Sequence, residues 1–144
     1  MTVQRILKSK ATDDVITIKP GMSVEDAAGV LSAKRIGSLV VTADGKTPLG
    51  ILSERDIVRE IGKRGPSCLN DKVDDMMTKK VQTCERSERA NDVLSRMTEG
   101  RFRHMPVMEN GEMVGLITLG DVVKARVTEL SMEKEALTGM IMGN

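Results

Sequence analysis

Two aspartates carry the chemistry that the sequence suggests most directly. Asp56 follows the hydroxyl residue Ser53 by three positions, and Asp121 follows Thr118 by three. An ionised carboxylate has two acceptor oxygens, which suit the adjacent 2′ and 3′ hydroxyls of a ribose. Free N–H groups at a helix start, beside a hydroxyl, suit an anionic phosphate. The same spacing also defines a capping box, in which the aspartate accepts from the N–H of the cap residue, so both interpretations remain open.

Each aspartate closes a short segment that occurs twice, at residues 50–56 and 115–121, which we call the first and second corner. Each corner consists of a glycine, a short apolar strand, a hydroxyl residue, two further residues and the aspartate. Apolar residues at helical spacing follow both, so each corner predicts a strand that runs directly into a capped helix. Two such corners in a chain of 144 residues indicate an internal duplication.

The residues around the corners repeat as well. At an offset of 66 positions, residues of the first half match residues of the second: Thr12 and Thr78, Thr17 and Thr83, Arg35 and Arg101, Val41 and Val107. Strand-like runs lie at 15–18, 39–41, 49–52, 81–84, 105–108 and 114–117, with helical patterns between and after them. The predicted fold class is therefore α/β, a tandem β-α-β-β-α repeat. A unit of roughly 60 residues is marginal alone, so we expect the two to pack sheet to sheet.

The sequence divides into five parts. These are an N-terminal lead-in at 1–11, a first repeat at 12–62, a linker at 63–74, a second repeat at 75–128 and a C-terminal helix extension at 129–144. In the extension, Leu130, Leu137 and Ile141 lie near one helix face, beyond the core of the second repeat. We expect this face to cover a neighbouring subunit; packing back on the same chain is the alternative.

Composition excludes several function classes. The formal net charge is +1, with no Trp, no Tyr and one Phe, so neither a strong positive field nor aromatic base-stacking platforms favour nucleic-acid binding. No apolar run is long enough to span a bilayer, so no membrane association is expected. Cys68 and Cys84 stand 16 positions apart and indicate neither a disulfide framework nor a zinc site. A reducing cytoplasm is the expected compartment.

The doubled unit with its corners resembles the CBS-domain pair, also called a Bateman module. The resemblance covers about residues 10–126 and rests on both corners, on Met76-Met77-Thr78 and on His104-Met105-Pro106-Val107. It implies two stacked repeats related by a pseudo-two-fold axis, with adenosine-nucleotide sites in the cleft between them. It also implies that two modules form a homodimer. The implied ligand is AMP, ADP or ATP, with NAD(H) and S-adenosylmethionine as alternatives that share the adenosine.

The resemblance further implies composite pockets. Asp56 would share one with Thr78 and Thr83, and Asp121 the other with Thr12 and Thr17. Apolar side chains such as Ile51 and Ile117 could sandwich a purine. The complete set of expected nucleotide-binding residues is Thr12, Thr17, Ile18, Ser38, Ile51, Ser53, Arg55, Asp56, Thr78, Thr83, Cys84, Arg103, His104, Met105, Pro106, Ile117, Thr118 and Asp121.

The two halves differ where the resemblance places the ligand. The second half has Arg103 and His104 where the first has Gly37 and Ser38. Basic groups near the cleft would favour phosphates, although solvated surface charge is the alternative. The two sites are therefore expected to differ in affinity.

An enzymatic role finds little support in the sequence. His104 is the only histidine, and no nucleophile elbow, P-loop, zinc-protease or dinucleotide-binding motif is present. We expect a non-catalytic regulatory module without a metal, acting through an unknown effector protein or through dimer geometry. Two alternatives remain: a purely structural dimerisation module whose corners are simple caps, and a weak nucleotide-processing enzyme.

Overall fold

The computed structural model describes residues 1–10 and 15–141. The helices are α1 Val3–Ser9, α2 Val24–Lys34, α3 Glu54–Arg64, α4 Val73–Met76, α5 Ala90–Gly100 and α6 Leu119–Ile141, with a 3-10 turn at Pro66–Asn70. The strands are β1 Thr17–Ile18, β2 Ser38–Val41, β3 Gly50–Ser53, β4 His104–Glu109 and β5 Glu112–Thr118. The α/β class and the tandem repeat are confirmed. The helix after the first corner continues to Arg64, two residues past the expected end at Gly62.

The first repeat forms a three-stranded sheet. β1 lies parallel to β2, with Thr17 opposite Val40, and β3 returns antiparallel to β2. All four residues of β2 are buried, as expected for an uninterrupted apolar run. Ser23 is the N-cap of α2, since its hydroxyl accepts from the N–H of Asp26 at 3.1 Å.

The second repeat has a hairpin, β4–β5, and a shortened third member. The run 81–84, expected as a strand, forms a single parallel bridge between Cys84 and Val107. In the first repeat the ladder continues, because the N–H of Val40 donates to the carbonyl of Ile16 at 3.4 Å. The residue matching Val40 is Pro106, which has no N–H to donate, so the ladder stops there.

The two repeats exchange their entry segments. Val3, Ile6 and Leu7 of α1 are buried in the core of the second repeat. Val73 and Met76 of α4 are buried in the core of the first repeat. The lead-in helix α1 therefore belongs structurally to the second repeat. The helix α4, which follows the first repeat, belongs structurally to the first.

The same exchange explains the glycine that opens each corner. The N–H of Ile51 donates to the carbonyl of Thr78 at 3.0 Å, and the reverse bond is 2.9 Å, so the segment entering the second repeat pairs with β3. A Cβ placed on Gly50 would overlap the side chain of Met77 in that segment. At Gly115 it would lie 2.9 Å from the Leu7 side chain of α1. A methyl group would therefore force the Met77 side chain to shift at Gly50 and the Leu7 side chain to shift at Gly115.

α6 extends beyond its own repeat. Val122 and Ala125, in its first two turns, are buried. The residues from Leu130 to Ile141 are exposed except for Gly139. The expectation that this face extends past the core of the second repeat agrees with the structure, and residues 130–141 do not pack back on the rest of the described chain. Within residues 1–10 and 15–141, no helix combines the length and apolar character that crossing a bilayer requires.

Replacing Gly50 by alanine tests the crossing. We expect Gly50→Ala to lower the free energy of unfolding by about 1–3 kcal/mol, because the added methyl group overpacks against Met77. Gly62→Ala is the matched control, since Gly62 lies in α3 with no atom within 4 Å of an added Cβ. That change should raise stability by roughly 0.5–1 kcal/mol through helix propensity. Chemical denaturation measures both, and equal effects would contradict the crossing as the reason for Gly50.

Candidate functional site

The first corner holds its aspartate in a complete capping box. Asp56 Oδ2 accepts from the N–H and the hydroxyl of Ser53, each at 3.0 Å, and Ser53 Oγ accepts from the Asp56 N–H at 3.2 Å. Asp56 Oδ1 accepts from Arg59 Nη2 at 2.9 Å. The residue is 8% exposed, so the carboxylate is fixed in direction. Of the roughly four lone-pair positions on a carboxylate, three are used.

The second corner is capped in the same way but has a different neighbour. Asp121 Oδ2 accepts from the Thr118 N–H at 2.9 Å, and Thr118 Oγ1 accepts from the Asp121 N–H at 3.1 Å. The ammonium group of Lys10 lies 3.0 Å from the same Oδ2 and donates to the carbonyl of Leu116 at 2.8 Å. Both aspartates are therefore helix caps, and Lys10 neutralises the second one.

A cleft of about 510 Å³, the larger cleft, lies between the first corner and the second repeat. Seven expected residues line it: Ile51, Ser53, Arg55, Asp56, Thr78, Arg103 and His104. The structure thus brings together the first corner, the crossing segment and the start of β4. Of the composite pocket expected for Asp56, Thr78 and Thr83, it includes Asp56 and Thr78 but not Thr83.

The larger cleft has a strong excess of positive charge. Among the described residues its lining includes five cationic side chains and one carboxylate: Arg55, Arg59, Lys80, Arg101, Arg103 and Asp56. Arg59 is paired with Asp56, so the remaining cations lack a compensating acid in the lining. Such a surface favours a phosphate-bearing or otherwise anionic ligand.

A smaller cleft of about 250 Å³ lies beside the second corner. Its described lining is mostly apolar, with one cation: Leu7, Lys10, Val15, Ile16, Ile36, Gly37, Ser38, His104, Leu116 and Thr118. Ser38 and Thr118 were expected there. Thr12, expected beside them, falls outside the described residues. The two clefts differ in size and in charge, and the expected difference in affinity stays a prediction.

Several expected contact residues face the core instead. Ile117 has no exposed surface, so the prediction that it lines the purine site is wrong. Successive side chains of a strand point to opposite faces, and in the smaller cleft the wall residue is its neighbour Leu116, the counterpart of Ile51. Four further expected residues are also buried away from both clefts: Ile18, Cys84, Met105 and Pro106. Thr17 is exposed and Thr83 half-buried, and neither lines a cleft.

The sequence analysis missed part of the larger cleft. Lys80, Val81 and Gln82 follow the crossing at Thr78 and form one wall. Arg59 was detectable, because residues three apart on a helix are neighbours and Asp56 begins that helix. Arg101, which is not among the expected contact residues, ends α5 with a left-handed backbone at φ 56° and also lines the cleft.

His104 borders both clefts. Burial lowers the pKa of its imidazole below the ordinary value of 6.5, and neighbouring Arg103 lowers it further. Three nearby carboxylates raise this pKa, but by less than burial and Arg103 lower it: Asp121, Asp56 and Glu54. The ring is therefore neutral at pH 7, with one nitrogen as donor and the other as acceptor.

Nucleophilic and metal chemistry find no support in the described side chains. Burial, with a further contribution from Glu88, raises the pKa of the Cys84 thiol to about 12, so it is not a thiolate at neutral pH. Within residues 1–10 and 15–141, no three His, Cys, Asp or Glu side chains group closely enough to hold a metal ion.

His104 predicts a pH dependence of stability. Its folded pKa is depressed, so the unfolded chain takes up the proton first as the pH falls below 6.5. The contribution of His104 is complete above that pH and declines below it. We expect the free energy of unfolding to fall less between pH 7.5 and 5.5 in His104→Gln than in the parent. Denaturant titrations at the two pH values measure this change. An equal change in the free energy of unfolding for the variant and the parent would contradict the prediction.

The comparisons with known proteins agree with this geometry. The CBS domain family model matches residues 3–63 and 73–128. A mitochondrial CBS domain-containing protein of Arabidopsis thaliana is 33% identical over 99% of this chain and 72% of its own length. The crystal structure of a CBS-domain containing protein from Agrobacterium tumefaciens has a TM-score of 0.83 at 43% identity, covering 88% of this chain and 99% of that one. The structure of a CBS domain protein of Pyrobaculum aerophilum complexed with AMP has a TM-score of 0.76 at 23% identity. It covers 92% of this chain and 99% of that one. The two repeats, their exchanged entry segments and the clefts between them are those of a CBS-domain pair, and the chain belongs to the CBS domain family.

Proposed function

We propose that this CBS pair is a regulatory module that binds an adenosine-containing nucleotide in the larger cleft. The observation that carries the proposal is the combination, in about 510 Å³, of a fixed carboxylate, an apolar wall and five cationic side chains. The volume lies within the roughly 300–1,000 Å³ of typical ligand pockets. AMP, ADP and ATP are the leading ligands; NAD(H) and S-adenosylmethionine share the adenosine. The AMP complex of the Pyrobaculum protein supports this ligand class.

The ribose lies at Asp56 in this proposal. Oδ1 retains one acceptor position beside Arg59, which is enough for one ribose hydroxyl. A second hydroxyl contact requires Arg59 to turn away. Its side chain is 52% exposed, so the rearrangement is inexpensive, and the freed guanidinium then faces the ligand.

The base and the phosphates occupy opposite ends of the cleft. Ile51 and Val81 supply the apolar walls for a purine, and backbone groups near Thr78 supply its polar partners. The phosphates lie toward Arg101 and Arg103, with Lys80 on the rim. Neutral His104 donates one hydrogen bond to a phosphate oxygen, and the resulting negative neighbour raises its pKa.

The smaller cleft is the weaker site in this proposal. It has about half the volume, and Lys10 already pairs with Oδ2 of Asp121. Lys10 also donates to the Leu116 carbonyl, so two contacts hold this cation beside the carboxylate. As the nucleotide concentration rises, the larger cleft therefore fills before the smaller one. The signal passes to an effector protein or to the arrangement of two copies in this proposal.

A nucleotide panel tests the proposal. A ligand that binds only the folded state at a hundred times its Kd stabilises it by about 2.7 kcal/mol. Ligand-free protein should therefore melt at a higher temperature with AMP, ADP or ATP, and much less so with guanine or pyrimidine nucleotides. Mass spectrometry of ligand released from purified protein identifies any bound molecule directly. The absence of a shift with every adenosine compound would favour a purely structural module.

Two aspartate variants distinguish a ligand contact from a cap. Asp56→Ala and Asp121→Ala each remove a capping-box acceptor, so each should cost about 1 kcal/mol or more of stability. In isothermal titration, Asp56→Ala should also weaken the first nucleotide by about 1.5–3 kcal/mol. Asp121→Ala should leave that affinity nearly unchanged. Equal affinities in both variants would mean that Asp56 is only a cap.

The phosphate end is tested by charge reversal. Arg103→Glu should weaken ATP more than AMP and affect adenosine least, because the added carboxylate repels each phosphate. The difference should shrink as salt rises, since exposed charges are screened over about 8–10 Å at physiological ionic strength. Ser38→Ala, in the smaller cleft, should change AMP and ATP by similar factors. An equal loss for adenosine and ATP in Arg103→Glu would place the phosphates elsewhere.

A further inference from the structure

An exposed stripe of apolar side chains runs the length of α6. We call it the α6 seam, and it consists of Val123, Val127, Leu130, Lys134, Leu137 and Ile141. The spacings alternate between four and three residues, the heptad period of a coiled coil. The five apolar members are between 44% and 86% exposed, and Lys134 is exposed as well. Within the described chain, nothing covers them.

The residue types in the seam specify a pairing. Its a positions are Val127, Lys134 and Ile141, and its d positions are Val123, Leu130 and Leu137. β-Branched residues at a with leucine at d favour a parallel two-stranded coiled coil. A single polar residue at one a position sets register and strand number at some cost in stability, which is the place that Lys134 occupies.

The helix is anchored at its start and free at its end. Asp121 caps it, and Glu129 accepts both the terminal ammonium group of Met1 at 3.1 Å and Arg126 at 3.3 Å. These contacts supply the costly helix nucleus. The last twelve residues, 130–141, have no tertiary core of their own, and an isolated helix of that length is marginal in water. A partner that buries the seam would stabilise them.

We propose that the α6 seam pairs in parallel with the α6 seam of a second copy of this chain. In that arrangement each Lys134 enters a hole formed by residues 130, 133, 134 and 137 of the other helix. The acidic Glu133 is one of these four, so its carboxylate offsets the two approaching ammonium groups. An antiparallel pairing would instead place Glu133 opposite Glu133. The proposal is independent of the nucleotide site.

The oligomeric state tests the proposal. By light scattering, the full chain should have twice the monomer mass of 15.7 kDa. Leu137→Glu should raise the dimer dissociation constant by about 100-fold or more, because it buries a charge in place of a d-position leucine. Ala136→Glu is the matched control, since it adds the same charge on the opposite face and should stay dimeric. Leu137 is 60% exposed in the single chain, so circular dichroism should show both variants folded. A dimer unchanged by Leu137→Glu, or a monomeric parent chain, would overturn the proposal.

Cross-linking tests the orientation. Lys134→Cys should form an intermolecular disulfide under mild oxidation, because equivalent a positions meet in a parallel pair. Glu135→Cys, on the outer face, should not. The native Cys68 and Cys84 are 0% and 2% exposed and will not compete. Lys134→Ile should tighten the dimer by removing the polar pair. A dimer in which Lys134→Cys and Glu135→Cys cross-link equally poorly would exclude the parallel seam.

Discussion

The exchange of entry segments between the two repeats is the constraint on which the rest of the structure depends. Each repeat alone lacks part of its core, and the missing apolar side chains come from α1 or from α4. Full burial of one aliphatic side chain contributes roughly 1.5–3 kcal/mol, so three from α1 matter greatly to a small unit. The exchange also brings the Met77 side chain close to Gly50 and the Leu7 side chain close to Gly115. Because the crossing segment continues into Thr78, the contact that completes the core also builds one wall of the larger cleft.

The helix cap at the first corner and the proposed ribose contact would use the same carboxylate. The capping box holds Asp56 in one orientation, and its serine partner stands at the open start of α3. A carboxylate held in this way is preorganised, since its rotamer is fixed before any ligand arrives. The cap and the contact are therefore compatible functions of one residue. What separates the two corners is the cation that pairs with the aspartate. It is the half-exposed Arg59 at the first corner, and at the second it is Lys10, which also donates to a backbone carbonyl.

Charge distribution gives the two clefts different roles despite the pseudo-symmetric backbone. The net charge of the chain is +1, yet five cations gather around the larger cleft. Local concentration of charge, rather than net charge, sets the potential that an anionic ligand meets. His104 borders both clefts, and its neutral state at pH 7 keeps it from adding to that charge until a phosphate lies beside it. Duplication supplied two equivalent positions, and a few substitutions made them unequal.

The sequence by itself determined the elements that depend on near neighbours. Periodicity and cap residues gave the helices, the β-branched runs gave most strands, and the repeated spacing of Ser53–Asp56 and Thr118–Asp121 gave both corners. The offset matched Arg103 and His104 with Gly37 and Ser38, and the family resemblance placed them at the cleft, where the structure has them. Alternation along β5 was misjudged by one residue, because an apolar run offers no local signal to separate Leu116 from Ile117. The missing ladder bond at Pro106 became visible only once the partner strand was placed.

Tertiary structure alone decided which segment completes which core and which charges meet. Lys10 reaches the Leu116 carbonyl across 106 positions of sequence, and no local pattern predicts that contact. The cations of the larger cleft likewise come from α3, from the crossing segment and from the end of α5, each of them an ordinary surface residue in its own sequence context. The α6 seam was legible as a helix face, but its exposure is a property of the packed chain. Local sequence sets backbone preference and face, whereas burial and electrostatic potential are sums over residues that only the folded chain brings together.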